Sequence, residues 1–223
     1  MMPFSFDDKD VVVFDLDDTL YKEIEYLESQ YKLISIWLKE HYLMSSDVFE
    51  KMMEWYSEGR DVFRSINDFY HIDVPISTYL DIYRYQKPHI TLPKDSFDVL
   101  SELKTRGVTL GLLSDGRVLT QMNKIESLKI ASFFSDDMII ISESFGSEKP
   151  NEANYRYFMN VCPIKRFTYI GDNVAKDFIA ANALGWRTIC LKDNGCNIHR
   201  QDFRLTEEYL PQIIIGNLNE LLS

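Results

Sequence analysis

The sequence has few cysteines, no long apolar run and no cluster of basic residues. Its three cysteines, Cys162, Cys190 and Cys196, are odd in number and form no CxxC pair, which argues against a disulfide framework and a zinc site. The longest early apolar run stops at Asp15 and is too short for a signal peptide or a membrane span. We therefore expect a soluble cytoplasmic protein with reduced thiols and no membrane partner.

The charge of the chain is strongly negative. Acidic residues number 35 against 24 Lys and Arg, giving a net charge of −11. No run of Lys or Arg marks a phosphate-backbone footprint, so nucleic acid is not expected as a partner. Because such a surface repels anions at long range, any phosphate chemistry needs a metal ion or a locally positive site. The four histidines show no metal-ligand spacing and are expected at the surface or in packing. They are His41, His71, His89 and His199.

The first third of the chain changes character at about residue 21. Residues 11–16 are β-branched and aromatic and predict a buried strand. From 21 to 88, apolar residues such as Leu27, Tyr31 and Ile34 recur at helical spacing. This stretch contains no convincing strand, and its fourteen aromatic residues are expected mainly to pack its own core. It is predicted to be a helical insertion.

Strands alternate with helices after residue 88, which indicates βαβ units and a parallel sheet covered on both faces. The predicted strands are 108–113, 138–141, 167–170 and 188–191, and the predicted helices are 94–106, 118–129, 151–161 and 174–184. The predicted fold is an α/β, Rossmann-like, doubly wound parallel sheet. Residues 1–20 and 89–223 form this core, and residues 21–88 form an inserted α-helical domain.

Polar residues follow the predicted strands at the edge of the sheet where such folds bind ligands. Asp15 and Asp17 follow the first strand, Ser114 follows the second, Lys149 lies in the loop after the third and Asp172 follows the fourth. The two aspartates are two residues apart and point the same way in extended geometry. Close carboxylates repel unless a cation or a proton relieves them, and hard oxygen ligands suit Mg²⁺.

The same residues offer the other groups that phosphoryl transfer requires. Lys149 supplies a fixed positive charge for a phosphoryl group. Ser114 can donate a hydrogen bond beside the backbone N–H groups at the start of the following helix. No His or Cys stands at a strand end. The combination indicates phosphoryl transfer to a carboxylate nucleophile.

Four segments, in this order, resemble the motifs of the haloacid dehalogenase superfamily. Phe14-Asp-Leu-Asp-Asp-Thr-Leu20 resembles DxDx[T/V], Leu112-Leu-Ser114 the second motif, Glu148-Lys-Pro150 the third, and Gly171-Asp-Asn-Val-Ala-Lys-Asp177 the fourth, GDxxxxD. The resemblance covers about residues 10 to 191. The four motifs are specific only as a set. The insertion between the first two resembles the family's helical cap, which closes over the site and favours small-molecule substrates.

The resemblance implies catalytic roles for four residues. Asp15 would attack phosphorus to form an aspartyl-phosphate, and Asp17 would protonate the leaving oxygen and then deprotonate the attacking water. Ser114 and Lys149 would hold the phosphoryl group. Mg²⁺ would be bound by the Asp15 carboxylate, the backbone carbonyl of Asp17 and Asp172, with Asp177 as a more distant or water-mediated partner.

Further candidates have competing roles. Thr19, Asp115, Gly116 and Arg117 join Ser114 and Lys149 as possible substrate-binding residues. Ser114 and Asp115 could instead cap the following helix, and for Asp115 we favour capping over catalysis. For Asp177 a metal-ligand role and a structural role are equally supported.

The expected activity is hydrolysis of a small phosphorylated metabolite, such as a sugar phosphate or a nucleotide, by a Mg²⁺-dependent phosphatase. Asp17 favours phosphatases or phosphomutases because dehalogenating members lack an Asp two residues after the nucleophile. A phosphomutase with the same residues is the nearest alternative. A glycosyltransferase with an Asp-x-Asp metal site would leave Lys149 and Asp172 unexplained. A catalytically silent family member has little support, because no expected catalytic residue is missing.

Overall fold

A computed structural model describes residues 4–42 and 47–222, and the chain divides into two compact units. The core unit comprises Met1–Ile24 and Thr91–Ser223, and the helical unit comprises Glu25–Ile90. Residues 43–46 of the predicted helical stretch, and residues 1–3 and 223 of the predicted core, lie outside the described residues.

The core unit contains a six-stranded sheet in the order β3-β2-β1-β4-β5-β6, in which every neighbouring pair is parallel. This is the order of a doubly wound α/β sheet, so the predicted fold class is confirmed. The strands are β1 (Asp10–Phe14), β2 (Thr109–Ser114), β3 (Ile139–Ile141), β4 (Arg166–Gly171), β5 (Arg187–Leu191) and β6 (Ile213–Ile215).

The first strand is the centre of this sheet. Every residue of β1 is buried, and β1 pairs with β2 on one side and with β4 on the other. Its three valines suit a strand covered on both faces. On one face Tyr155, Phe158 and Trp186 pack against one another and belong to the buried core. The strand that leads into the first motif is therefore held by hydrogen bonds to both neighbouring strands and is buried along its whole length.

Helices and short 3₁₀ segments connect the strands. The α-helices are α1 (Glu23–Tyr42), α2 (Val48–Ser57), α3 (Val62–Tyr70), α4 (Ile76–Tyr85), α5 (Lys94–Thr105), α6 (Val118–Leu128), α7 (Ser142–Phe145), α8 (Glu152–Val161) and α9 (Ile179–Ala183). The 3₁₀ segments are Ala131–Phe133, Asp136–Met138, Glu207–Tyr209 and Leu218–Leu222. In the part of the chain that the structure describes, no helix has the length and apolarity needed to cross a bilayer. All three cysteines are free.

The most marked differences from the sequence-based expectations concern the first strand, the last predicted helix and the last strand of the sheet. The first strand ends at Phe14 instead of residue 16, and Asp18 turns the chain with a φ of 56°. The last predicted helix begins at Ile179 instead of residue 174, because residues 174–178 form turns. The Asp177 carboxylate in this segment accepts from the N–H groups of Asp172 and Asn173. The sheet also has a sixth strand, whereas the predicted series ended at residue 191.

The helical unit is held together by aromatic rings and one buried amide. The ring of Tyr31 lies against Tyr56, Phe63 and Tyr83, with centroid separations of 6.2 to 6.4 Å. The fully buried Gln30 donates from Nε2 to the Tyr83 carbonyl at 2.7 Å. This amide supplies a partner to a backbone carbonyl near the end of α4, where intrahelical donors run out.

Gly111 in β2 is predicted to tolerate no side chain. A Cβ at this position would lie 2.9 Å from Phe158 Cε1 and 3.0 Å from Val13 Cγ2. We expect Gly111→Ala to lower the free energy of unfolding by about 1–3 kcal/mol, because an added methyl group overpacks the core. The control is Gly216→Ala, where the nearest atom is 3.5 Å away and the change should stay within about 0.5 kcal/mol. Equal urea midpoints for the two variants would contradict this packing argument.

Candidate active site

A polar cavity of about 110 Å³ lies at the carboxyl end of the central strands. This is the edge at which a doubly wound sheet binds ligands, next to the point where the strand order reverses. The cavity is lined by Asp15, Asp17, Asp18, Glu23, Ser114, Asp115, Lys149, Asp172, Asn173, Lys176 and His199. It brings together residues from all four sequence motifs.

Lys149 is the cation at the centre of this cavity. Its Nζ lies 2.8 Å from Asp15 Oδ1 and 2.8 Å from Asp177 Oδ1. It also donates to the Tyr169 hydroxyl at 3.1 Å. The Lys149 side chain is only 2% exposed, so these partners replace water around its ammonium group. The pKa of Lys149 is well above its usual value: burial lowers it, but the Asp15 and Asp177 carboxylates outweigh this effect.

Asp177 organises the loop that follows β4. Its carboxylate accepts hydrogen bonds from the N–H groups of Asp172 at 3.1 Å and Asn173 at 2.8 Å. The close approach requires glycine at position 171, since a Cβ there would lie 2.8 Å from Asp177 Cγ. The structural role considered for Asp177 is thus present, and its carboxylate also belongs to the acidic cluster described next.

Asp15, Asp172 and Asp177 form a buried cluster whose ligand atoms all lie within 4.8 Å of one another. Burial, together with the neighbouring carboxylates, raises the pKa of Asp172 to about 9. Burial also raises the pKa of Asp15 to about 7, although Lys149 acts in the opposite direction. Three carboxylates share one ammonium group, and this imbalance is what a divalent cation would relieve. The cluster is therefore the candidate metal site.

Asp17 has a different environment from Asp15, although both line the cavity. Both of its oxygens accept from Lys124 Nζ, at 2.7 and 2.9 Å. The Tyr21 hydroxyl donates to it at 2.5 Å and Gln121 Nε2 at 2.9 Å. Burial raises the pKa of Asp17, but Lys124 and these hydrogen bonds outweigh burial and hold it below the usual value.

The segment after β2 contributes Ser114 and Asp115. Ser114 is buried, and its Oγ accepts from Gln121 Nε2 at 2.5 Å. The expectation that Asp115 caps the next helix is wrong. Helix α6 begins at Val118, its N-cap residue has no side-chain cap, and the Val118 N–H donates to Glu143. The Asp115 carboxylate instead accepts from the Lys149 N–H at 3.0 Å and from Lys176 Nζ at 2.9 Å.

Three residues proposed for substrate binding do not line this cavity. Thr19 is buried, and its hydroxyl makes no hydrogen bond within the described part of the chain. The Gly116 N–H donates to Ser142 Oγ at 2.9 Å. Arg117 is half exposed and lies 3.9 Å from Glu143.

A loop that the sequence did not flag also reaches the cavity. Asn197 Nδ2 donates to Asp172 Oδ2 at 2.7 Å, and Asn197 Oδ1 accepts from Lys22 Nζ at 2.5 Å. The Asp193 carboxylate fixes the loop by accepting from three consecutive N–H groups, those of residues 195–197. His199 on this loop is exposed, as expected, but it also lines the cavity.

Removal of the central ammonium group is predicted to destabilise the fold. Lys149→Met leaves the buried Asp15 and Asp177 carboxylates without their cation, and we expect a loss of about 3 kcal/mol in the free energy of unfolding. The control is Lys176→Met, because the pair of Lys176 with Asp115 is partly exposed; its loss should be under about 1 kcal/mol. Urea unfolding in a chelating buffer measures both. Equal losses for the two variants would show that neutralisation of Asp15 and Asp177 by Lys149 does not stabilise the fold.

Known proteins resemble this chain in sequence and in fold. The glyceraldehyde 3-phosphate phosphatase of Methanocaldococcus jannaschii is 29% identical over 191 residues, covering 80% of this chain and 82% of that protein. A HAD-hydrolase, YfnB, from Bacillus subtilis, solved with bound magnesium, superposes with a TM-score of 0.66 at 20% identity, covering 95% and 96% of the two chains. A 2-haloacid dehalogenase from Pseudomonas syringae superposes with a TM-score of 0.61 at 18% identity, covering 98% and 97%.

These similarities confirm the predicted family and the predicted class of enzyme, a hydrolase of the phosphatase type. The two structural neighbours are less than 25% identical to this chain and therefore support the fold alone. The family model described as haloacid dehalogenase-like hydrolase matches residues 12–191, a range that includes all the motif residues at the cavity. This chain belongs to the haloacid dehalogenase-like hydrolase family.

Proposed function

We propose that the chain is a Mg²⁺-dependent phosphomonoesterase that acts on a small phosphorylated metabolite with Asp15 as nucleophile. The observation that carries this proposal is the placement of Asp15, a buried residue, in a polar cavity 2.8 Å from Lys149. Glyceraldehyde 3-phosphate is the proposed substrate, because several relatives are named for it. A metabolite of this kind also suits the cytoplasmic location expected from the number and spacing of the cysteines and from the short early apolar run.

In the first step, an Asp15 carboxylate oxygen attacks phosphorus while the bond from phosphorus to the leaving oxygen breaks. Lys149 orients the carboxylate through Oδ1, and its positive charge stabilises the phosphoryl oxygens as the transition state spreads negative charge over them. Lys149 therefore acts on both the nucleophile and the phosphoryl group. In the second step, water attacks the phosphorus of the aspartyl-phosphate, and the bond to Asp15 breaks to release phosphate.

Asp17 is the proposed acid and base. Its low pKa keeps the carboxylate ionised in the free protein, so it takes up a proton as the anionic substrate binds beside it. It gives that proton to the leaving oxygen in the first step and takes one from the attacking water in the second. Such help is worth roughly 10²- to 10⁴-fold in rate. A glycosyltransferase-type metal site would need Asp15 and Asp17 to share the cation. The contacts of Asp17 with Lys124 do not favour that alternative.

Mg²⁺ fits the acidic cluster by charge and by ligand chemistry. Asp15, Asp172 and Asp177 supply carboxylate oxygens, which are the ligands that Mg²⁺ prefers. We propose the Asp15 carboxylate, the backbone carbonyl of Asp17 and the Asp172 carboxylate as direct ligands. Asp177 would contribute indirectly, by fixing the loop that carries Asp172. Bound Mg²⁺ would supply positive charge that offsets repulsion between the Asp15 carboxylate and the phosphate.

Ser114 and Lys176 complete the proposed phosphate site. Ser114 lies at the end of β2 and faces the cavity, where its hydroxyl can donate to a phosphoryl oxygen. Lys176 also lines the cavity, so a second ammonium group is available in a chain whose net charge is −11. Together with bound Mg²⁺, these two ammonium groups would supply the local positive charge that an anionic substrate needs near a chain of negative net charge.

Asp15→Asn tests the nucleophile. With glyceraldehyde 3-phosphate and Mg²⁺, we expect the wild type to release phosphate and the variant to lose roughly 10⁴-fold or more in kcat, because an amide is not a nucleophile here. Spontaneous release without enzyme is subtracted. Equal turnover by the two proteins would refute the mechanism. A phosphomutase would instead return the phosphoryl group to the substrate and release little phosphate.

Asp172→Asn tests the metal site without an activity assay. Mg²⁺ at 100 times its dissociation constant should stabilise the wild type by about 2.7 kcal/mol, seen as a rise in melting temperature. The variant loses a carboxylate ligand and should need much more Mg²⁺ for the same rise. The control is Asp137→Asn, since Asp137 is exposed and precedes β3 at the opposite edge of the sheet. Identical Mg²⁺ titrations for Asp172→Asn and the wild type would exclude this site.

A further inference from the structure

Lys124 on α6 is a buried cation outside the four sequence motifs. The residue is 3% exposed. Its Nζ lies 2.7 and 2.9 Å from the two oxygens of Asp17 and 3.8 Å from Glu23 Oε1. Burying a lysine costs free energy, and a buried ion pair is often no more stable than apolar residues of similar volume. Fold stability alone therefore does not explain a lysine at this position.

Two further residues complete the contacts around Asp17. Gln121 lies one helical turn before Lys124 on α6, and its amide contacts both Asp17 and Ser114. The Tyr21 hydroxyl reaches Asp17 from the segment before α1. Each oxygen of Asp17 thus accepts from two donors. These contacts fix the side-chain rotamer of Asp17 from several directions.

The contacts also separate the proposed acid–base role of Asp17 from the proposed metal-binding role of Asp15. Within the part of the chain that the structure describes, the metal-type cluster contains Asp15, Asp172 and Asp177 but not the Asp17 carboxylate. Among the described residues, Lys124 is the cation that forms an ion pair with Asp17. Its loss would leave no comparable charge to hold the Asp17 carboxylate away from a cation bound at Asp15. A carboxylate that joined the metal would no longer face the leaving group.

We propose that Lys124 is a positioning residue that holds the Asp17 carboxylate in its acid–base position and out of the metal site. Lys124 acts through Asp17. The inference rests on the proposed function, in which Asp17 transfers the protons.

The leaving group distinguishes this role from a general structural one. Glyceraldehyde 3-phosphate has a poor alkoxide leaving group that needs a proton, whereas p-nitrophenyl phosphate has a good one that needs little help. We expect Lys124→Met to lower kcat by about 10²-fold on the first substrate, the cost of misplacing a catalytic group by about 1 Å. On p-nitrophenyl phosphate the loss should be under about 10-fold. KM should change little on either substrate.

A double-mutant cycle tests whether Lys124 acts through Asp17. Asp17→Asn and Asp17→Asn/Lys124→Met are compared on p-nitrophenyl phosphate, on which the weaker enzymes remain measurable. If Lys124 only positions Asp17, its loss should have no further effect once Asp17 is replaced. Lys124→Gln is measured beside Lys124→Met, in case the apolar variant does not fold. Lys129→Met removes an exposed lysine at the end of the same helix and should leave kcat unchanged.

Two results would overturn the role of Lys124 while leaving the phosphatase intact. These are equal losses on the two substrates, and a Lys124→Met loss that is as large beside Asp17→Asn as in the wild type. A wild type that releases no phosphate from either substrate would overturn the proposed function as well. This outcome is distinguishable from the other two, because both of those require measurable turnover by the wild type.

Discussion

The contact of Lys149 with Asp15 and Asp177 joins three parts of the chain that are far apart in sequence. Asp15 follows the central strand, Asp177 belongs to the loop after its neighbour β4, and Lys149 precedes α8. The ammonium group has lost nearly all of its water, so its charge must be balanced by these carboxylates. The order of the strands, the tight loop after β4 and the geometry of the cavity all have to be compatible with this one contact.

Much of the core could be predicted from sequence because its pattern is local. Alternating strands and helices predict a parallel sheet, and the carboxyl ends of parallel strands meet at one edge. That rule is sufficient to predict that Asp15, Ser114 and Asp172 lie together. The start of α9 could not be predicted from apolar spacing, since the Asp177 carboxylate accepts from the N–H groups of Asp172 and Asn173, and these local hydrogen bonds accompany turns at residues 174–178 in place of helix.

The partners of Asp17 show what sequence can and cannot reveal about a site. Gln121 and Lys124 did carry a signal, because they share one stripe of α6 with apolar residues, and buried polar side chains need partners. The identity of that partner was hidden, since Asp17 is more than a hundred positions away. Asn197 and His199 carried no signal, because their arrival at the cavity depends on the path of an irregular loop.

The Asn197 amide that holds Asp172 lies beyond residue 191, where the family match ends. In the proposed mechanism, the affinity for Mg²⁺ would thus be set partly by a segment that family membership does not specify. Lineages that share every motif residue could differ in cation retention through changes to this loop alone. Diversification of such hydrolases can then proceed without any alteration of the reacting groups.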